Sequence, residues 1–198
     1  MLLGSGRAEL ERLGYSIVSE SDAEVVGFRR KRHWDVLGIA QTSVVFLRAT
    51  GLLTSAAIQV EAGELIARAH ELNPSRLPVG VRNGMPVVVA YFADSVALDA
   101  QRLCESTQLF RPGALFFPAA LDQSTGRPYY CESTPVWGAA YSGKLRFLVQ
   151  RMLVPECAPL REPLSAIGIG AGALIAILLL AIVALLVLAV IVLPPLLR

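Results

Sequence analysis

The chain has 198 residues, a formal net charge of +2 and three cysteines, and 54% of its residues are hydrophobic. The cysteines are odd in number and lack CxxC spacing, which argues against a disulfide framework and a zinc site. Of the 18 Lys and Arg only Arg198 lies beyond residue 163, so residues 1–163 carry 17 basic against 16 acidic residues. This near balance argues against nucleic acid as a partner.

The first part of the chain predicts a helix followed by three strands. Residues 7–13 indicate a short helix, and strands are expected near 15–19, 25–34 and 42–49. Residues 55–72 then predict a long amphipathic helix, because apolar residues recur at helical spacing opposite a polar face.

The second predicted strand ends in a basic run closed by an aromatic residue. The candidates for binding lipid or a protein partner are Arg29, Arg30, Lys31, Arg32 and Trp34. Three interpretations are open: an edge strand whose charges prevent aggregation, contact with anionic headgroups, or a protein or nucleic-acid partner.

After the long helix the sequence predicts two hairpins. Asn83-Gly84 separates the apolar segments 77–82 and 85–92, and Asn-Gly favours a two-residue hairpin turn. The second hairpin is expected from 114–121 and 127–132.

Two helices complete the predicted domain. Asp94 is a candidate N-cap for a helix over 95–106, and residues 138–153 predict the last helix. The resulting fold class is α+β, with a mixed or antiparallel sheet, hairpins and about four helices. Because hairpins interrupt the alternation of strands and helices, we do not expect parallel β-α-β winding.

The early order of helix, three strands and helix is similar to the core of restriction-endonuclease-like nucleases. That resemblance implies an Asp near the second strand, which Asp35 matches, and an acidic residue two positions before a Lys on the third. The third strand instead contains Phe46 and Arg48, and Phe46 offers no oxygen to Mg²⁺. A nuclease-like domain would therefore have an inactive site. The longer order also resembles the non-catalytic type III secretion chaperones.

Catalytic signatures are missing from the sequence. It has no G-x-S-x-G elbow, Walker loop, dinucleotide-binding glycine motif or HExxH pair. Of the two histidines, His33 and His70, we interpret His70 as a solvated surface residue, and we interpret Cys104 as a buried, inert thiol. We therefore predict no catalytic, metal-binding or cofactor-binding residues, and no cofactor.

The C-terminal part of the chain differs sharply in composition. From Pro163 to Leu197 it runs 35 residues without a charged side chain, and 164–193 is almost wholly Leu, Ile, Val, Ala and Gly. About 20 apolar helical residues cross a hydrocarbon core. We therefore predict a transmembrane helix over 164–193.

The predicted organisation follows from this helix. Residues 1–154 form a domain, 155–163 a proline-rich juxtamembrane linker, and 194–198 a short tail. A proline-rich linker of this length spans about 28 Å. The domain is therefore expected to work close to the bilayer surface.

Basic residues near the span predict its orientation. Four precede it and only Arg198 follows, and positive charge favours the cytoplasmic side. We expect a tail-anchored, single-pass protein with a cytoplasmic N-terminal domain, inserted after synthesis. The excess of Arg over Lys, with much Ala and Leu, points to the bacterial cytoplasmic membrane.

Gly168 and Gly172 lie one helical turn apart within the predicted span. Small residues at this spacing let two helix backbones approach closely, so both are candidates for helix–helix packing in a homo-oligomer. The alternative is that glycine is common in membrane helices and the spacing has no role.

Three functional classes are compatible with these features. The first, which we favour, is an interaction or regulatory module at the membrane surface, with the lipid bilayer and an unknown protein as partners. The second is an oligomerising effector that perturbs the membrane. The third is a membrane-tethered enzyme with an unrecognised site. The first explains every strong feature of the sequence and requires no missing catalyst.

Overall fold

The computed structural model describes residues 2–33, 39–73, 85–106, 109–111, 114–133 and 139–156. Within these residues, one seven-stranded sheet has helices on both faces. The helices are α1 (Leu2–Arg12), α2 (Ser55–Leu72), α3 (Leu98–Ser106) and α4 (Ala139–Leu153). The strands are β1 (Ser16–Glu20), β2 (Glu24–His33), β3 (Ile39–Leu53), β4 (Met85–Val96), β5 (Leu109–Arg111), β6 (Ala114–Asp122) and β7 (Arg127–Tyr130). The predicted α+β class and its mixed sheet are confirmed.

Strand order in the sheet is β1-β2-β3-β4-β6, and both β5 and β7 pair with β6. The first three strands form an antiparallel meander. The connections through α2 and α3 then place β3, β4 and β6 parallel to one another. Because β4 lies along the whole of one edge of β6, the short strands β5 and β7 share its other edge.

Two sequence predictions are wrong at the centre of the sheet. They are the expected lack of parallel β-α-β winding and the Asp94 cap. β4 is buried from Met85 to Ala93 and pairs in parallel with β3 and β6, so it is a central strand of β-α-β units. Its expected hairpin partner, 77–82, lies outside the described residues. The Asp94 cap is wrong, because β4 continues to Val96 and α3 begins only at Leu98.

The second predicted hairpin is confirmed as β6 and β7. Gly126 adopts a positive φ of 69° in the connecting turn, a conformation that favours glycine. The buried carboxylate of Asp122 accepts hydrogen bonds from the backbone and hydroxyl of Ser124 and from the backbone of Val96. The Ser124 hydroxyl is the main reason that the pKa of Asp122 is lowered.

The sheet has an apolar core on each face. On one face α2 and α3 cover β3, β4 and β6, with Phe46, Tyr91 and Phe116 among the largest buried side chains. On the other face α1 and α4 pack against the same strands, around Phe92 and Phe117. The sheet is therefore the middle of three layers.

An ion pair joins the two helices of the second face. Glu9 of α1 is 5% exposed, and its carboxylate binds the guanidinium of Arg151 on α4. Arg12 also donates to Glu9, at 2.8 Å. A buried carboxylate requires such compensation, so α4 is held to the domain close to its last residue, Leu153.

No helix in the described part of the chain is long and apolar enough to cross a membrane. The predicted span at 164–193 and the tail at 194–198 lie outside the described residues, as does most of the predicted linker.

Candidate functional site

An ion pair occupies the inner end of the β2–β3 ladder. Glu24 begins β2 and lies opposite Arg48 of β3, with Arg48 Nε 3.8 Å from Glu24 Oε2. Arg68 of α2 donates to both carboxylate oxygens of Glu24, at 3.0 and 2.7 Å. This two-point geometry is the stronger form of an arginine–carboxylate pair, and it raises the pKa of Arg68.

A second carboxylate joins the same group from α2. Arg48 Nη1 lies 3.1 Å from Glu61 Oε2, and the hydroxyl of Tyr91 donates to that oxygen at 3.1 Å. Tyr91 is 1% exposed, and burial, reinforced by Glu61, raises the pKa of its phenol. The hydroxyl is therefore a fixed hydrogen-bond donor under the carboxylate.

Glu24, Arg48, Glu61 and Arg68 together form what we call the ion-pair cluster. Its two carboxylates and two guanidiniums cancel in formal charge. The start of α2 is fixed by Thr54, whose hydroxyl accepts from the backbone of Ala57 at 3.3 Å. Asp99 of α3 accepts from the hydroxyl and backbone of Ser55, and the hydroxyl bond is the main cause of its lowered pKa. These contacts position Glu61 and Arg68 over the strands.

The ion-pair cluster does not fit the Mg²⁺ site that a nuclease resemblance implies. Phe46 lies at the required acidic position on β3, where it is fully buried with the guanidinium of Arg68 5.3 Å from its ring centre. Both carboxylates already bind arginines, which a cation would have to displace. Among the described residues no group of three or more His, Cys, Asp or Glu is placed to hold a metal ion. Asp35 lies outside the described residues.

Beyond the ion pair, the β2–β3 ladder continues as a two-stranded arm. Pairing of β1 with β2 stops at Ser16 opposite Phe28, and pairing of β4 with β3 begins at Val44 opposite Val87. Residues 29–33 and 39–43 therefore pair only with one another in the described part of the sheet. We call these ten residues the hairpin arm.

The base of the hairpin arm is anchored on both faces of the sheet. On the α1 face, the buried hydroxyl of Tyr15 bonds Ser43 at 3.0 Å, and the guanidinium of Arg29 lies 4.6 Å from the Tyr15 ring centre. On the α2 face, Thr42 donates to the side chain of Asn73 at 3.4 Å. The arm is thus a fixed extension of the sheet at its base.

The structure separates the predicted basic residues into two groups. Arg29 is half-buried, and its guanidinium also donates to the carbonyl of Leu13 at 2.9 Å. Arg30 is exposed. Lys31 and Arg32 continue β2, opposite Gln41 and Ala40. Arg29 therefore has a structural role, whereas the following positions continue the arm past the ends of β1 and β4 pairing.

The other predicted residues are distributed as follows. Trp34, Gly168 and Gly172 lie outside the described residues. His70 is half-buried on α2 and so less exposed than expected. Cys104 is buried as predicted, and burial raises its pKa to about 12, which makes it a poor nucleophile at neutral pH.

No motif in the sequence directly indicates the ion-pair cluster. Glu61 and Arg68 are part of a polar helix face that resembles any solvated face. The available signal was a charged residue, Arg48, directly after the apolar run 44–47, and a tyrosine, Tyr91, within an equally apolar strand. Polar groups in such runs need buried partners.

We find no protein-family model that matches this chain, and no curated protein sequence matches it. The functional inference therefore depends on the geometry of the hairpin arm and the ion-pair cluster.

Proposed function

We propose that the segment 164–193 anchors the chain in a membrane and that its cytoplasmic N-terminal domain is an interaction module at the membrane surface. The hairpin arm is its contact element. The observation that carries this proposal is the arm itself, which extends past both neighbouring strands and contains four consecutive basic residues, Arg29 to Arg32.

The ion-pair cluster supports a binding role over a catalytic one. Its carboxylates accept from arginines and a tyrosine, so a proton or metal would have to compete with these donors. Such a network stabilises the junction of β2, β3 and α2. The arm then extends from a junction of fixed geometry.

In our proposal, the uncharged segment 164–193 holds the domain at the membrane. α4 is tied to α1 through Glu9 and Arg151, and it ends at Leu153, two residues before the proline-rich linker. The described domain would therefore stay within about 28 Å of the bilayer. This distance favours partners that are themselves in or on the membrane.

Site-specific photocrosslinking in native membranes tests the proposal. A photoreactive residue replaces Gln41 in the hairpin arm or, as a matched control, Gln123 in the exposed β6–β7 turn of the full chain. We expect the chain to stay with carbonate-washed membranes, and adducts to lipid or protein to form from position 41 but not from 123.

Three results would contradict the proposed function. Release of the full chain from membranes by carbonate would show that it is not anchored in the bilayer. Equal adduct formation from both positions would show that the arm is not the contact element. If the adducts were chiefly between copies of the chain and disappeared with Gly168→Leu and Gly172→Leu, an oligomerising effector would replace the interaction module.

A further inference from the structure

We infer that the hairpin arm binds anionic phospholipid headgroups through positions 30–32, while Arg29 serves as its structural base. This inference rests on the proposed membrane tether. It names the ligand class of the arm and divides the basic run into a structural residue and ligand-binding residues.

Arg29 is committed to the domain by two independent contacts. Its guanidinium donates to the Leu13 carbonyl at 2.9 Å and lies over the ring of Tyr15, which is itself bonded to Ser43. An arginine held by a backbone carbonyl and an aromatic face is costly to extract for a ligand. Its role is to fix the direction in which the arm leaves the sheet.

Positions 30–32 follow Arg29 along the ladder. Their cross-strand neighbours are Thr42, Gln41 and Ala40, all of them neutral. At the inner end of the same two strands, by contrast, Glu24 lies opposite Arg48. A run of basic residues without acidic cross-strand neighbours is complementary in charge to a polyanionic surface.

A lipid surface fits the arm better than a single protein partner. Successive strand positions alternate between the two faces of a ribbon, so the basic positions 29–32 are divided between both faces. The headgroup layer supplies anions over a continuous area and needs no matching shape. Five ladder pairs extend about 16 Å, which is within the range allowed by a linker of about 28 Å.

The tether also raises the effective concentration of headgroups around the arm. A contact too weak for a free protein becomes populated when the second binding event is intramolecular. Three basic residues, each contributing about fivefold in affinity near an anionic surface, are then sufficient to orient the domain.

Hydrogen exchange of the full chain in lipid nanodiscs tests this inference. Discs of phosphatidylcholine alone are compared with discs that also contain phosphatidylglycerol. We expect amides of residues 29–33 and 39–43 to exchange about tenfold more slowly in the anionic discs at low ionic strength, and this protection to decrease as salt is added.

A pair of charge-matched variants locates the effect. Arg30→Glu with Arg32→Glu is expected to abolish the lipid-dependent protection of the arm. Arg102→Glu with Arg127→Glu changes the net charge equally at exposed positions of α3 and β7, and is expected to retain it. Protection of the β4 and β6 amides reports that both variants remain folded.

Three outcomes would overturn the inference. They are equal arm protection in neutral and anionic discs, equal loss of protection in both double variants, and arm adducts that form only with a protein while phosphatidylglycerol has no effect. Failure of the proposed function is distinguishable, because a chain that is not anchored does not copurify with the discs at all.

Discussion

The two ends of the β2–β3 ladder differ in how their charged residues are paired across the strands. At the inner end Glu24 lies opposite Arg48, and both are joined to α2 through Arg68 and Glu61. At the outer end four consecutive basic residues lie opposite Ser43, Thr42, Gln41 and Ala40, which are neutral. One ladder therefore has paired charges at one end and basic residues with neutral cross-strand neighbours at the other.

The difference follows from what covers each end. The inner end lies under α2, where a lone charge would be costly, so each charge is paired. The outer end extends past β1 and β4, and the basic residues there have only neutral cross-strand neighbours. Charges under α2 should therefore matter for folding, whereas the charges of the arm beyond Arg29 should matter for binding.

The largest expected effect comes from breaking the inner end. Glu24→Gln leaves Arg68 without its carboxylate and weakens the Arg48 pair, so we expect the free energy of unfolding to fall by about 2 to 3 kcal/mol. Urea unfolding of the full chain, followed by circular dichroism, measures this loss.

Glu20→Gln is the matched control for that variant. Glu20 is about half exposed, and the structure gives it a bond with Arg7 at 3.4 Å, so its loss should cost under about 0.5 kcal/mol. Equal losses for the two variants would show that the inner end is no more structural than an ordinary surface pair.

Alkaline pH should lower the stability of the domain through Tyr91 and Cys104, which lie in the apolar core on the α2 face. Burial raises the pKa of Cys104 to about 12, and burial also raises the pKa of Tyr91. Their stabilising effect is complete below their unfolded pKa values, near 9 and 10, and is lost as pH rises towards the folded ones. For Cys104 the loss at pH 11, two units above the unfolded pKa, is about 2 to 3 kcal/mol.

Measuring the free energy of unfolding between pH 8 and pH 11 tests this decrease of stability with pH. Cys104→Ala lowers stability at neutral pH by leaving a small cavity, but its stability should fall less steeply above about pH 9. Tyr91 is expected to contribute to the slope that remains. Identical slopes for the variant and the parent chain would show that Cys104 is not sealed from solvent.

Local pattern predicts α2 well but misses the pairing of β4. Helical spacing of Ile58, Leu65 and Ile66 predicts a helix over 55–72, which are the bounds observed, because that pattern reflects burial of one helix face. For β4, the Asn-Gly signal predicts a hairpin. Its true neighbours, β3 and β6, are separated from it by whole helices, so no local signal contains them.

The candidate site, too, is predictable from local sequence only in part. The order of residues alone identifies the basic run, because four consecutive basic residues are conspicuous in a chain of nearly balanced charge. It does not show that Arg29 is held by Leu13 and Tyr15, since those contacts depend on the α1–β1 connection. Glu24 and Arg68 are 44 positions apart, beyond any spacing rule.

A smaller effect is expected where the two ends of the ladder meet. Tyr15→Phe removes the hydroxyl that bonds Ser43 but keeps the ring beneath Arg29, so we expect a loss of about 1 kcal/mol in the free energy of unfolding. Hydrogen exchange of residues 39–43 should increase more than exchange of β4. Uniform changes across the sheet would show that Tyr15 supports the domain generally and not the base of the arm.

The smallest effect on stability should come from the outer end itself. Arg30→Ser removes an exposed charge from the arm and is expected to change the free energy of unfolding by less than about 0.5 kcal/mol. Arg29→Ser, one position earlier, should cost about 1 kcal/mol because it loses the Leu13 bond and the Tyr15 contact. Urea unfolding of both variants measures the difference. If Arg30→Ser were the more destabilising of the two, the outer end would be part of the folded core, and its charges could not be available to a membrane surface.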